Sequence, residues 1–172
     1  IYRHTAFDKE WPKIPKDGKV VVRIGSHANF TEELTDAIDA FCATYDAVVC
    51  CDHTSGYRGK YEVQGQLVFC QKQWSSPLST ANLCIHIGEV SGDQFTINTN
   101  HSWRVSPDGA LRDTFGNLRR VFMMPEVTFF RHYSQENASH REYFESLNEE
   151  IKKLEAKIPD LPFSNIWMAQ QM

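Results

Sequence analysis

Glycine and proline are scarce, at 9 and 7 of 172 residues. That excludes a collagen-like or low-complexity chain. No apolar run approaches the ~18 residues of a membrane-spanning helix. Basic side chains are not in excess: 18 Lys and Arg against 22 Asp and Glu give a formal charge of −4. Nucleic-acid binders normally carry a net basic footprint. Neither nucleic acid nor membrane is therefore an expected partner. No signal-peptide pattern precedes the first apolar segment. The chain also lacks GxGxxG, a P-loop, GxSxG, HExxH and the kinase signatures.

Cysteine usage is modest and unpaired. There are five, an odd number, and no CxxC. Cys42, Cys50, Cys51 and Cys84 lie inside apolar runs, where a free cysteine behaves as a small hydrophobe. A disulfide framework is not expected, and a reducing cytoplasm is the expected compartment. Cys50-Cys51-Asp52-His53 gathers four ligand-type residues, but the spacing fits no zinc pattern, so no metal site is expected.

What is present alternates between apolar strands and helical periodicity. Residues 1–18 are polar and broken by Pro12 and Pro15, which reads as an N-terminal linker. Val20 to Ile24 is a β-branched run ending at Gly25, a buried strand. Asn29 with Glu32 three residues on resembles a capping box opening a helix, which continues through Leu34, Ala37, Ile38 and Phe41. Ala47 to Cys51 is a second apolar strand, Leu83 to Ile87 a third, Trp103 to Ser106 a fourth and Arg120 to Met124 a fifth. Residues 66–71 fit a helix or a strand. Pro125 stands at a helix-start position, with the helix running to Tyr133. Over 138–157, Phe144, Leu147, Ile151 and Leu154 recur at helical spacing, with Glu149, Lys152, Lys153 and Lys157 on the opposite face. Pro159 ends that helix, and Ser164 caps a further one from Asn165.

Continuous apolar strands alternating with helices require a parallel sheet covered on both faces. The expected class is α/β, a Rossmann-like three-layer α/β/α domain with a mostly parallel sheet of about five to six strands. Ligands of such sheets sit at the carboxyl ends of the strands. Three glycine-bearing loops fall there, at 25–29, 55–59 and 88–93. His27 and His53 follow strands and would open on one edge near Arg58. An imidazole pair with a guanidinium suits a carboxylate or phosphate, against the plainer reading of loop polarity. His86, inside an apolar strand, reads as a core histidine. The alternative to a scaffold is a free-standing module binding a nucleotide, FAD or NAD through the Gly25, Gly56 and Gly88 loops.

Three stretches carry a family resemblance. One is Val20–Gly25 with its helix, leading to Cys51-Asp52-His53-Thr54-Ser55-Gly56-Tyr57-Arg58. Another is Ile85-His86-Ile87-Gly88 followed by Trp103-Arg104-Val105-Ser106-Pro107-Asp108-Gly109. The last is Leu161-Pro162-Phe163-Ser164-Asn165-Ile166-Trp167. Together they resemble the middle domain of thiamine-diphosphate-dependent enzymes, most closely the menaquinone-pathway synthases that make 2-succinyl-5-enolpyruvyl-6-hydroxy-3-cyclohexene-1-carboxylate. One departure stands out: the loop Glu89-Val90-Ser91-Gly92-Asp93-Gln94 has no Lys or Arg, where those synthases usually carry a basic residue facing the substrate.

The resemblance implies a division of the chain into a linker at 1–18, a central α/β domain at 19–135 and an outgoing amphipathic helix at 136–160. Residues 161–172 would begin a pyrophosphate-binding domain. It implies a parent enzyme that decarboxylates a 2-oxo acid and transfers the acyl group. Thiamine diphosphate and Mg2+ would be held by flanking pyrimidine- and pyrophosphate-binding domains, in a homodimer or homotetramer. This piece alone is expected to be inactive and to bind no cofactor itself. Arg58, His53 and His27 are its substrate-facing candidates, with no catalytic or metal residue assigned.

Overall fold

The computed structural model describes all residues except 16–17, 28, 53, 70–73, 90–96, 160–161, 166 and 169–172. Its centre is a six-stranded sheet, parallel throughout. The strands are β1 (Tyr2–Thr5), β2 (Val20–Ile24), β3 (Ala47–Cys51), β5 (Leu83–Ile87), β7 (Ser102–Ser106) and β8 (Leu118–Met123). Their spatial order is β1-β8-β7-β5-β2-β3. Leaving β1 aside, that is the doubly wound order 2-1-3-4-5, whose direction of winding reverses between β2 and β5. A separate parallel pair, β4 (Thr80–Ala81) and β6 (Asn98–Thr99), lies outside it.

The helices form the outer layers. On one face, α1 (Glu32–Tyr45) and α3 (Glu126–Tyr133) cover Val20, Val22, Ile24, Ile85, Ile87, Val105 and Phe122. On the other, the short α2 (Gln66–Phe69) and α4 (Glu142–Glu155) cover Val21, Val48, Cys50 and Cys84. Both faces of the central strands are buried, as unbroken β-branched runs require. The expected three-layer α/β class is what the chain adopts.

Several local readings change. The stretch read as a linker carries the edge strand β1, and Trp11 stacks on His132 of α3 with ring centroids 3.8 Å apart. Helix α1 is capped by Thr31 rather than Asn29: the Thr31 side chain accepts from the Leu34 amide at 3.2 Å. Just before the cap, Phe30 packs edge-on to Tyr57 at 6.2 Å. Helix α4 starts at Glu142 rather than 138. One amide of its first turn is held from a distance, with Tyr143 N donating to both carboxylate oxygens of Asp46 at 3.0 and 2.9 Å. Residues 66–69 are helical, with 70–71 outside the described residues. Ser164 Oγ accepts from Trp167 N at 3.2 Å, as a helix cap would.

Candidate functional site

The carboxyl edge of the sheet gathers the loops after β2, β3, β5, β7 and β8. The β2 and β5 loops flank the point where winding reverses, the usual ligand crevice of this architecture. Here the two loops are laced together. Ser26 N donates to Glu89 O at 2.6 Å, Glu89 N donates to Ser26 O at 3.0 Å, and Gly25 N donates to Ile87 O at 3.0 Å. Gly88 makes this approach possible: its φ is +69°, and a Cβ there would lie 2.7 Å from Ser26 O.

Arg104 reinforces the closure from β7. It is 1% exposed, and it donates to Gly88 O and to Glu89 Oε1, each at 3.0 Å. Arg112 pairs with the other Glu89 oxygen and lies 3.8 Å from Asp108. Asp108 in turn accepts from Ser106 Oγ and from Ala110 N. These hydrogen bonds hold the Asp108 carboxyl below its ordinary pKa. The cations at this edge are thus largely matched by carboxylates of the same loops.

Strand register puts Arg23, His86 and Arg104 side by side on one face of the sheet. Arg23 donates to Ile97 O and lies over the Phe115 ring at 4.3 Å. His86 meets the same ring edge-on at 5.4 Å. Burial, then the charges of Arg104, Arg23 and Arg112, push its pKa down to about 3. His86 is a core histidine as expected, though its Nε2 has no hydrogen-bond partner among the described residues.

That depression has a sign. Unfolded His86 takes up a proton below about pH 6.5, whereas the folded form does so only near about 3. Between the two the unfolded state holds more protons, so stability falls on acidification, by up to about 1.4 kcal/mol per pH unit. Urea midpoints measured from pH 7 to pH 4 are expected to fall less steeply in His86→Gln than in the native chain. Equal slopes would remove His86 from the acid response.

Of the three substrate-facing candidates, His27 and Arg58 are described and have separate partners. His27 pairs with Glu126 of α3 at 3.3 Å and is edge-on to Phe30 at 5.3 Å. Arg58 is exposed, and its Nη1 donates to the Tyr57 carbonyl at 2.6 Å. No hydrogen bond, ion pair or ring contact joins His27 to Arg58 among the described residues; Phe30 lies against both His27 and Tyr57. His53 lies outside the described residues. Beside it, Asp52 is buried and its Oδ1 accepts from Thr54 N and Oγ1, both at 2.9 Å, which makes a local turn.

Sequence reasoning missed Glu126 as the partner of His27 and Arg104 as the tie across the crevice. Arg104 had one available signal, a charged residue within an otherwise buried strand, where such side chains are rarely tolerated unless paired.

Burial keeps the described cysteines protonated. Burial raises the thiols of Cys50 and Cys51 to about 12 and that of Cys84 to about 11. Cys42, Cys50, Cys51 and Cys84 form no disulfide among the described residues; Cys70 lies outside the described residues. No three His, Cys, Asp or Glu side chains gather as a metal donor set among the described residues. No described helix is long and apolar enough to cross a membrane.

The fold and this edge together define an α/β, Rossmann-like domain with a cross-tied switch point. No protein-family model matches the chain, and no curated protein matches it.

Proposed function

We propose that these residues are the central domain of a cytoplasmic thiamine-diphosphate-dependent enzyme of the kind that decarboxylates a 2-oxo acid and transfers the acyl group. In the order of its sequence segments it resembles the menaquinone-pathway synthases. The domain's work is architectural: it spaces and orients the flanking pyrimidine- and pyrophosphate-binding domains of the same chain, within a homodimer or homotetramer. Thiamine diphosphate, held by those domains with Mg2+, supplies the electron sink for decarboxylation.

The observation that supports an architectural role is the lacing of the switch point. Where a dinucleotide-binding sheet leaves a crevice, Ser26 and Glu89 exchange hydrogen bonds and Arg104 ties the β5 loop to β7. The first turn of α1 carries Glu32 and Glu33 behind the Thr31 cap. That acidic first turn repels the phosphate that such helix N-termini otherwise attract. Arg58, exposed in the loop after β3, keeps the role of a carboxylate-facing residue.

The test uses the polypeptide encoded by the whole reading frame that contains this sequence. Its release of CO2 from 2-oxo acids is expected to require thiamine diphosphate and Mg2+, and the 172-residue chain alone is expected to release none. In the whole enzyme, Arg58→Ala is expected to raise KM for the carboxylate substrate while leaving kcat within about threefold, the mark of lost uniform binding. Cofactor-independent activity, or activity of the 172 residues alone, would contradict the proposal.

A further inference from the structure

The amino edge of the sheet, opposite the loops just described, carries a cleft that the architectural role does not use. Its volume is about 520 Å3, and it lies among Tyr2, Lys13, Asn82, His101, Arg119 and Arg120, with Leu83 and Trp103 in its wall. Clefts of roughly 300–1,000 Å3 are the size that small ligands occupy. No Asp or Glu lines it among the described residues. In a chain of net charge −4, a cleft that shows three permanent cations and no carboxylate among the described residues is a local inversion of sign. Lys13, Arg119 and Arg120 make no ion pair with a carboxylate among the described residues.

Arg120 is held in place before any ligand arrives. It follows Tyr2 of β1 and precedes Trp103 of β7 in one row of register partners. Its guanidinium lies over the Tyr2 ring at 4.9 Å and near the Trp103 ring at 5.7 Å. Its Nη1 lies 3.0 Å from His4 Nε2, and His4 Nδ1 lies 3.1 Å from Asp8 Oδ2, so the arginine is oriented through an imidazole rather than neutralised directly. Trp103 is buried, but Tyr2 is 67% exposed and presents ring surface at the cleft.

We infer that this cleft binds a phosphate-bearing small molecule with a planar ring, the chemistry of a nucleoside phosphate. Lys13, Arg119 and Arg120 take the phosphates, and Tyr2 with the apolar wall takes the ring. Arginine suits this because its planar fork both stacks on aromatic rings and pairs with phosphate oxygens. The inference is independent of the catalytic proposal, since its test involves no turnover.

Calorimetry of the 172-residue chain with ADP in low salt is expected to show one site in the micromolar range. Pyrophosphate is expected to bind at least tenfold more weakly, because it lacks the ring. The double variant Lys13→Ala, Arg119→Ala removes two exposed side chains, so it is expected to keep its far-UV spectrum and unfolding midpoint while losing at least tenfold in ADP affinity. Independently of any variant, raising salt from about 50 to about 200 mM is expected to weaken ADP binding severalfold, as screening of exposed charges requires. Absence of ADP binding at millimolar concentration would overturn the inference. So would undiminished binding by the double variant, pyrophosphate binding as tight as ADP, or an affinity indifferent to salt.

Discussion

Replacing Arg104 by alanine is expected to destabilise the domain by about 3 kcal/mol, the scale of a large buried side chain lost together with its hydrogen bonds. The side chain is 1% exposed, so the substitution leaves a cavity between sheet and loop. It also leaves the Gly88 carbonyl without the donor that Arg104 Nη1 supplies at 3.0 Å. Glu89 fares better, because it is half exposed and retains Arg112. Arg104→Met separates the causes. It keeps most of the volume and removes the charge, and replacing buried ionic groups by well-packed apolar ones is often neutral. The loss for methionine is expected to stay within about 1.5 kcal/mol. Urea denaturation of both variants measures this. Equal losses for alanine and methionine would show that the hydrogen bonds, not the packing, dominate. Because Arg104 is one of the charges depressing the His86 pKa, Arg104→Met is also expected to flatten the acid response.

Gly88→Ala is expected to cost about 2–4 kcal/mol, from left-handed backbone strain added to weakened loop hydrogen bonds. The residue sits at φ +69°, and the new methyl carbon would lie 2.7 Å from Ser26 O and 3.0 Å from Gly25 O. Both are backbone atoms, which cannot swing aside as a flexible side chain can. Relief requires the β2 and β5 loops to part, which breaks the Ser26–Glu89 exchange. Amide hydrogen exchange is expected to accelerate at Ser26 and Glu89 and to stay slow in the core of β2 and β5. Unchanged protection at those two amides would mean that the crevice is not held shut by this approach.

The central strands were legible because β-branched and apolar runs such as Val20–Ile24 and Ala47–Cys51 have few other places to go in a chain this size. Strand β1 was not. Tyr2-Arg3-His4-Thr5 is an edge strand, exposed or half-buried along its length, and polar edges look like linkers from sequence. The start of α4 was hidden for a different reason: its Tyr143 amide is capped by Asp46, almost a hundred residues earlier in the chain. The two-residue strands β4 and β6 are too short to leave a periodic signal.

The candidate site was legible only in part. Its loops could be placed at one edge because glycines follow apolar strands. The pairing of His27 with Glu126 and of Arg104 with Glu89 joins separate strands and helices. The row Arg23, His86, Arg104 exists only in one strand register, and a slip of one residue would send those side chains to the other face. The amino-edge cleft was invisible for the same reason, since Tyr2, Trp103 and Arg120 meet only through pairing of β1, β7 and β8.

Thiamine diphosphate titration tests the central claim most directly. The polypeptide from the whole reading frame and the 172-residue chain are compared by calorimetry in the presence of Mg2+. The architectural account predicts micromolar, Mg2+-dependent binding by the whole polypeptide and no Mg2+-dependent binding by these residues alone. Failure of the whole polypeptide to bind, or binding by the isolated residues that is lost when Mg2+ is withdrawn, would contradict it.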